Sequence, residues 1–311
     1  MRIVQLEGES LIAAVRRPAF AHEWVEYPGT LPGQVVERLR GAAVAITNKV
    51  PLDATAIAAL PELKMIAVSA TGTNNVDLAA CRGRGIVVSN IRGYAGHTVP
   101  EHVMALLLAL SRNLVAWRET LLAGAWQQSR QFCLFDHPIR DLHGATLGLI
   151  GSGTLGNGVA RLAEAFGMRV LRAERKGAAT VRPGYTAFAD VLAEADAISL
   201  HCPLTPETTG LIGEPELRAM KPSALLINTA RGGVIDNTAL ADLLREGKIA
   251  GAGIDVFDGE PPLAKDDPLL SAPNTVLTPH VGFFTEEAMA RRAVIVMDNL
   301  RAYLKGEQEN V

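Results

Sequence analysis

Arg231, Glu260 and His280 are of the types that interconversion of a carbonyl and an alcohol requires. An arginine stays charged and forks onto paired oxygens, so it can hold a carboxylate and polarise a carbonyl. A histidine titrates near neutral pH and can exchange the proton at the carbonyl oxygen. A glutamate that accepts from the far imidazole nitrogen raises that histidine's pKa. The chain has seven histidines, so composition does not choose among them. Position does. His280 follows the apolar run 275–277 and lies between Pro279 and Gly282, Arg231 follows the run 224–229, and Glu260 follows the run 251–256. Each alone reads as a solvated loop residue. Together they place a cation, a carboxylate and a titrating base at three strand ends of one sheet.

The electron carrier for such chemistry is implied upstream. Residues 145–167, ATLGLIGSGTLGNGVARLAEAFG, run from an apolar strand through Gly151, Gly153 and Gly156 into a helix-period pattern. The first glycine permits the tight turn, the second lets backbone approach a pyrophosphate, and the third lets the helix pack on its strand. The helix N-terminus then offers amides and partial positive charge to the phosphates. Glu174 follows the next apolar run, 168–171, where an acid accepts from a ribose 2′-hydroxyl and repels a 2′-phosphate, which favours NAD(H). Arg175 and Lys176 directly after it would attract such a phosphate, so NADP(H) stays open.

The elements that must hold these residues are a parallel sheet and its covering helices. Beyond 145–150, strand runs are expected at 197–201, 224–229, 251–256 and 275–277, with a helix over 236–245 capped by Asp236. Residues 1–91 alternate in the same way, with strands at 2–6, 42–47, 65–69 and 86–89, a helix over 34–39, and a short helix capped by Asp53. The loop 69–75 follows one of those strands and reads equally as an anion-binding nest or an ordinary turn. Residues 98–110 predict a long buried helix, with Thr98 as N-cap and Glu101 as its capping-box partner. His102 on that helix reads as a satisfied core or surface histidine. The last helix, from about 285 to 304, returns to the first domain. We therefore expect an α/β chain of two domains. A Rossmann-type doubly wound sheet spans 98–283, and a smaller, discontinuous βα substrate domain spans 1–97 plus 284–311.

The bulk numbers agree with such a chain. The 311 residues are 48 % hydrophobic and 20 % charged, which suits two ordinary globular cores. A net charge of −3 gives no general attraction for nucleic acid or an anionic membrane. The first residues, MRIVQLEGES, lack signal-peptide features, and the apolar run 103–110 is too short to span a bilayer. Cys81, Cys133 and Cys202 show no CxxC spacing and predict free cytoplasmic thiols, with no metal site.

GSGTLG, INTARGGVID (227–236), GAGIDVFDGEP (251–261) and LTPHVG (277–282) together resemble the D-isomer-specific 2-hydroxyacid dehydrogenase family over nearly the whole chain. NIRGY (90–94), TVPEHVMALLLAL (98–110), WQQSRQFC (126–133) and TNKVPLD (47–53) are most similar to its glycerate dehydrogenase / hydroxypyruvate reductase branch. The resemblance implies that Arg231 binds the substrate carboxylate and carbonyl, that His280 is the acid/base, and that Glu260 orients it. It also implies that Asp255 holds the nicotinamide carboxamide and that the amides of Thr71 and Gly72 bind carboxylate. Thr98, Thr154, Leu155, His201, Cys202, Pro203, Thr208, Thr229, Ala230 and Gly282 complete the implied cofactor set. For Cys202 packing is favoured over reactivity, because no basic cluster adjoins it. A flavodoxin-like substrate domain and a homodimer through the nucleotide domain are implied as well, and the helix 98–110 with Trp117 and Trp126 fits the latter.

After His280 many relatives carry an aromatic-small-aromatic run, whereas this chain reads Val281-Gly282-Phe283-Phe284. The rival activities are those of a formate or phosphite dehydrogenase. Phosphite handling resembles a lysine where Thr71 stands, and formate enzymes lack the glutamate that Glu260 supplies. A rival of another class is a non-catalytic NAD(H)-sensing protein of co-repressor type, disfavoured by the lack of a disordered or basic extension.

Overall fold

The computed structural model describes residues 1–11, 13, 17, 19–260 and 262–307. Pro261, the last residue of the 251–261 motif, lies outside them, as do residues 308–311. The chain divides into two compact units, Met1–Ala95 with Phe284–Val311, and Gly96–Phe283. Each holds one all-parallel sheet.

In the first unit β1 (Arg2–Gln5), β2 (Glu23–Glu26), β3 (Val44–Thr47), β4 (Met65–Val68) and β5 (Val87–Ser89) lie in the order β2-β1-β3-β4-β5. That is the flavodoxin-like order. VAIT of β3 and MIAV of β4 are buried throughout, the unbroken apolar pattern of strands covered on both faces. Helices α1 (Val35–Leu39), α2 (Ala54–Ala58) and α3 (Leu78–Gly83) connect them. Asp53 caps α2 by accepting from the Ala56 amide at 2.7 Å, and Asp77 caps α3 through the Ala80 amide at 2.9 Å. The C-terminal helix Glu286–Leu304, capped by Thr285, packs on β4 through a face that buries Met289, Ala293, Val296 and Leu300.

Two sequence expectations change here. β2 reads EWVE, with exposed charged ends, and gave no strand signal. As an edge strand it pairs only with β1 and buries no continuous apolar face, so nothing in its sequence had to alternate cleanly. The helix expected over 34–39 opens instead as a tight turn, Pro32–Gln34, before α1 begins at Val35.

In the second unit β6 (Thr146–Ile150), β7 (Arg169–Arg172), β8 (Ala197–Leu200), β9 (Leu225–Asn228), β10 (Gly251–Ile254) and β11 (Thr275–Leu277) lie in the order β11-β10-β9-β8-β6-β7. A single parallel bridge, Ala173 to Thr186, adds a stub outside β7. With it the order becomes the doubly wound dinucleotide-binding one, extended by β11. The helices are α4 (Thr98–Ser111), α5 (Leu114–Leu122), α6 (Ala125–Gln128), α7 (Thr154–Ala165), α8 (Phe188–Glu194), α9 (Glu214–Ala219) and α10 (Asn237–Arg245). Asp236 caps α10 through the Ala239 amide at 3.0 Å.

α4 lies against β9, β10, β11 and α7, and buries Val103, Met104, Leu106 and Leu107. β10 accommodates it by carrying glycine: a methyl at Gly253 would sit 3.0 Å from Leu106, and one at Gly251 3.1 Å from Leu110. Thr98 is not the N-cap. The Glu101 amide already bonds the His97 carbonyl at 3.0 Å, so the helix closes one residue earlier and Thr98 lies inside its first turn. Among the described residues no single helix is long and apolar enough to cross a membrane.

Candidate active site

Because every strand of the second sheet runs the same way, the residues after β6, β8, β9, β10 and β11 gather along one edge. The first of them is the glycine turn. Gly151 has φ +99°, and a methyl there would lie 2.6 Å from the His201 carbonyl carbon, so the turn is pressed onto the backbone after β8. A methyl on Gly156 would collide with the Gly151 carbonyl oxygen, which fixes α7 against the turn. Gly153, at the cap of α7, faces open space: nothing lies within 4 Å of where its methyl would be. Thr154 and Leu155 open α7. Two glycines are therefore needed for packing and one leaves an approach to backbone amides, the arrangement a pyrophosphate requires. Gly158, outside the motif, does a further job. A methyl there would lie 2.6 Å from Pro100, so it permits the α4–α7 contact.

Two buried polar atoms at this edge lack a partner, His201 Nδ1 and Thr229 Oγ1. His201 Nε2 is bonded to Ser199 Oγ at 2.8 Å, and burial lowers its pKa to about 4, so the ring is neutral at pH 7. Cys202 is also partly buried, and burial pushes its thiol up, consistent with packing rather than reactivity. Thr208 donates to the Pro203 carbonyl at 2.6 Å and accepts from the Thr205 amide at 2.8 Å, which closes the loop after β8. Open space at Gly153 and orphaned atoms at His201 and Thr229 fit a dinucleotide laid along this edge.

The chemistry-bearing loops come next along the edge. His280 Nδ1 lies 2.5 Å from Glu260 Oε2, and Glu260 Oε1 accepts from the Phe257 amide. The carboxylate thus fixes the ring and leaves Nε2 as the nitrogen for proton exchange. Phe283 packs edge-on against the ring at 5.9 Å. His280 has φ +54°, a left-handed backbone that a non-glycine residue adopts only when its surroundings impose it.

Asp255 imposes it. The Asp255 carbonyl accepts from the His280 amide at 2.8 Å. Its carboxylate accepts from Thr278 Oγ1 at 2.6 Å and from the Val281 and Gly282 amides at 2.9 Å each. His102 Nε2 lies 3.1 Å from Thr278 Oγ1 and 3.4 Å from Asp255. Burial raises the Asp255 pKa, but the bonds from His102, Thr278, Gly282 and Val281 outweigh it and hold the carboxyl below its ordinary value. Gly282 must be glycine: a methyl there would sit 2.8 Å from Asp255 and 3.0 Å from His102. His102, which reads from sequence as a satisfied histidine, is satisfied by this clamp.

Asn228, fully buried at the end of β9, shapes the turn that presents Arg231. Its amide nitrogen donates to the Arg231 carbonyl at 2.9 Å and its oxygen accepts from the Ala230 amide at 3.0 Å. A methyl on Gly232 would collide with the Phe257 carbonyl, so the Arg231 turn is packed on the segment leading to Glu260. The sequence reading overlooked Asn228, though it stands inside the INTARGG motif.

Glu174 departs from expectation. It is clamped by Arg182, whose Nε lies 2.6 Å and Nη2 2.7 Å from its carboxylate oxygens, and it also accepts from the Arg175 amide at 2.8 Å. It is therefore not an open acceptor awaiting a ribose hydroxyl. Lys176 is drawn aside too, paired with Glu216 at 2.9 Å. Arg182 gave no sequence signal, since the pairing depends on how residues 175–185 fold back.

In the first unit, the loop carrying Thr71 and Gly72 follows β4. Thr71 Oγ1 donates to the Ile91 carbonyl at 2.9 Å, and Asn90 donates to the Thr71 carbonyl at 2.7 Å. Arg292 of the C-terminal helix, 1 % exposed, donates to the carbonyls of Ser69 and Ser10, the latter at 2.8 Å. A buried guanidinium thus anchors the start of the loop, a role no sequence pattern marked.

Fold and edge define a dinucleotide-binding protein of the doubly wound class. Residues 104–282 match the family described as D-isomer specific 2-hydroxyacid dehydrogenase, NAD binding domain. The chain is 47 % identical over 314 aligned residues to a glycerate dehydrogenase of Methylorubrum extorquens, covering 100 % of this chain and 98 % of that one. It is 34 % identical to a hydroxypyruvate reductase of Blautia hydrogenotrophica, covering 89 % and 87 %. Among solved structures, a glyoxylate reductase from Paecilomyes thermophila superposes with a TM-score of 0.82 at 28 % identity, covering 99 % and 97 %. The chain belongs to the D-isomer-specific 2-hydroxyacid dehydrogenase family. It is an oxidoreductase acting between 2-oxo and 2-hydroxy acids, and its second unit is an NAD-binding domain.

Proposed function

We propose that this enzyme reduces a small 2-oxo acid of the hydroxypyruvate or glyoxylate type to the D-2-hydroxy acid, with the second unit holding the cofactor. The observation that carries this reading is the His280–Glu260 pair, 2.5 Å apart, with His280 held in left-handed conformation by the bonds to Asp255. NADH, when bound, supplies the hydride. The chain does the rest. Arg231 binds the substrate carboxylate and polarises the carbonyl. His280 gives its Nε2 proton to the carbonyl oxygen, and Glu260 stabilises the imidazolium before that transfer. The names of two similar relatives, a glycerate dehydrogenase and a hydroxypyruvate reductase, support the substrate class.

We assign Asp255 two tasks. Its carboxylate fixes the 278–282 loop, and the resemblance adds the nicotinamide carboxamide. A homodimer fits the apolar residues that α5 and the following segment leave exposed, including Leu114, Leu122, Trp126, Phe132 and Phe135. Three free cysteines suit a reducing, cytoplasmic setting.

The test is NADH oxidation with hydroxypyruvate, glyoxylate and pyruvate, and the reverse reaction with formate and phosphite. Turnover of a 2-oxo acid is expected. Turnover of formate or phosphite alone would replace the reading with its nearest rival, and NADH binding without turnover of any compound would favour a sensor. Replacing His280→Ala should lower kcat at least ~100-fold at neutral pH while NADH affinity stays within about twofold. Near-normal turnover in that variant would remove His280 from the mechanism.

A further inference from the structure

The acid after β7 is fully occupied. Glu174 Oε1 accepts from the Arg175 amide at 2.8 Å and from Arg182 Nη2 at 2.7 Å; Oε2 accepts from Arg182 Nε at 2.6 Å and the Arg182 amide at 3.2 Å. The Glu174 side chain is 4 % exposed, whereas Arg182 is 53 % exposed. Of the two partners, it is the arginine that presents most of its side chain to solvent. The guanidinium lies over the Tyr185 ring, 4.0 Å from its centroid. The Tyr185 hydroxyl is bonded to Ser152 Oγ at 2.7 Å, and Ser152 stands between the first two glycines of the phosphate turn. A continuous chain, Ser152–Tyr185–Arg182–Glu174, thus runs from the phosphate turn to the acid. It holds one guanidinium flat, with its Nη1 edge taking no part in the four bonds to Glu174.

The other two cations of this segment are placed differently. Lys176 lines a cavity of about 400 Å³ that Glu174 and Arg175 also border, and Glu216 in the same cavity neutralises it. Arg175 is exposed, its amide engaged by Glu174. Only Arg182 is both rigid and tied to the phosphate turn.

We propose that Arg182, held by Glu174 and Tyr185, reads the adenosine 2′ position, and that this enzyme binds NADP(H) about as well as NAD(H). The inference rests on the dinucleotide reading of the second unit. Glu174 supports the guanidinium instead of receiving the 2′-hydroxyl, and its charge is neutralised where a 2′-phosphate would otherwise be repelled. Arg182 donates to a 2′-phosphate through its outer edge.

Titration of the protein with NADH and with NADPH, followed by tryptophan quenching, tests this, together with displacement by adenosine 2′,5′-bisphosphate and by AMP. In the native chain the two Kd values should lie within about tenfold of each other, and the bisphosphate should displace better than AMP. Arg182→Ala should weaken NADPH at least ~10-fold and leave NADH within about threefold, while Arg182→Lys should keep NADPH within about tenfold of the native value. A gap above about tenfold in favour of NADH in the native chain overturns the proposal, as does an equal loss of both dinucleotides in Arg182→Ala. If neither dinucleotide binds the native chain, the cofactor reading itself fails.

Discussion

Both sheets contain a point where the strand order reverses, and the chain treats the two points in opposite ways. In the second sheet it falls between β6 and β8, where Gly153 leaves open space and His201 Nδ1 has no partner. In the first it falls between β1 and β3, and there the crevice is filled from within. Glu7, just past β1, accepts from the amides of Asn48 at 2.7 Å, Lys49 at 3.0 Å and Val50 at 3.1 Å, and from Thr47 Oγ1 at 2.9 Å. Successive amides converging on an anion are what a phosphate or carboxylate ligand would use. One parallel sheet keeps its ligand crevice; the other closes it with its own carboxylate. Topology offers a binding site in both, and single side chains decide which survives.

Breaking the filled crevice should have the largest effect on stability. Glu7→Ala leaves three amides and a hydroxyl without their acceptor, and water reaches only part of a half-buried site. A loss of about 2–3 kcal/mol is expected in urea unfolding, with NADH binding by the second unit preserved. Unchanged stability would mean that the nest is filled by solvent as readily as by Glu7.

The open crevice has a pH signature. His201 titrates at about 4 when folded against 6.5 when unfolded, so below pH 6.5 the unfolded state binds the extra proton. Its contribution to stability is present above that pH and is lost as pH falls toward 4. Between pH 7 and pH 5 this predicts a loss of about 2 kcal/mol, which His201→Asn should abolish. Equal slopes in the two proteins would refute the assignment. Glu174, lowered to about 2 chiefly by Arg182 and then by the Arg175 amide, behaves in the opposite range. Its contribution is complete above about pH 4.5 and disappears only as pH approaches 2.

The smallest effect sharpens the contrast most. Gly153→Ala meets no atom within 4 Å, so stability should change by less than about 0.5 kcal/mol, yet the methyl fills the approach to the α7 amides. NADH affinity should fall at least ~10-fold, about 1.4 kcal/mol. Unaltered affinity would show that the open space at Gly153 is not where the pyrophosphate rests.

Much of this was legible in the chain. The strands of the second sheet, the caps at Asp53 and Asp236, and the last helix follow from apolar runs and cap residues, which are local signals. Their errors were local too. The start of α4 moved by one residue because a backbone bond to His97 closed first, and β2 went unread because an edge strand need not alternate.

The site divides along the same line. The sequence by itself determined which residue types stand at which strand ends: the glycines, Arg231, Asp255, Glu260 and His280, each a fixed step after an apolar run. Tertiary structure alone decided what those residues are bonded to. Arg182 reaches Glu174 across eight positions, Arg292 reaches Ser69 across more than two hundred, and His102 on α4 reaches Thr278 just past β11. The physical reason is that periodicity and capping are written in neighbouring residues. A buried charge takes whichever partner the fold brings within about 3 Å, and no pattern along the chain records that distance.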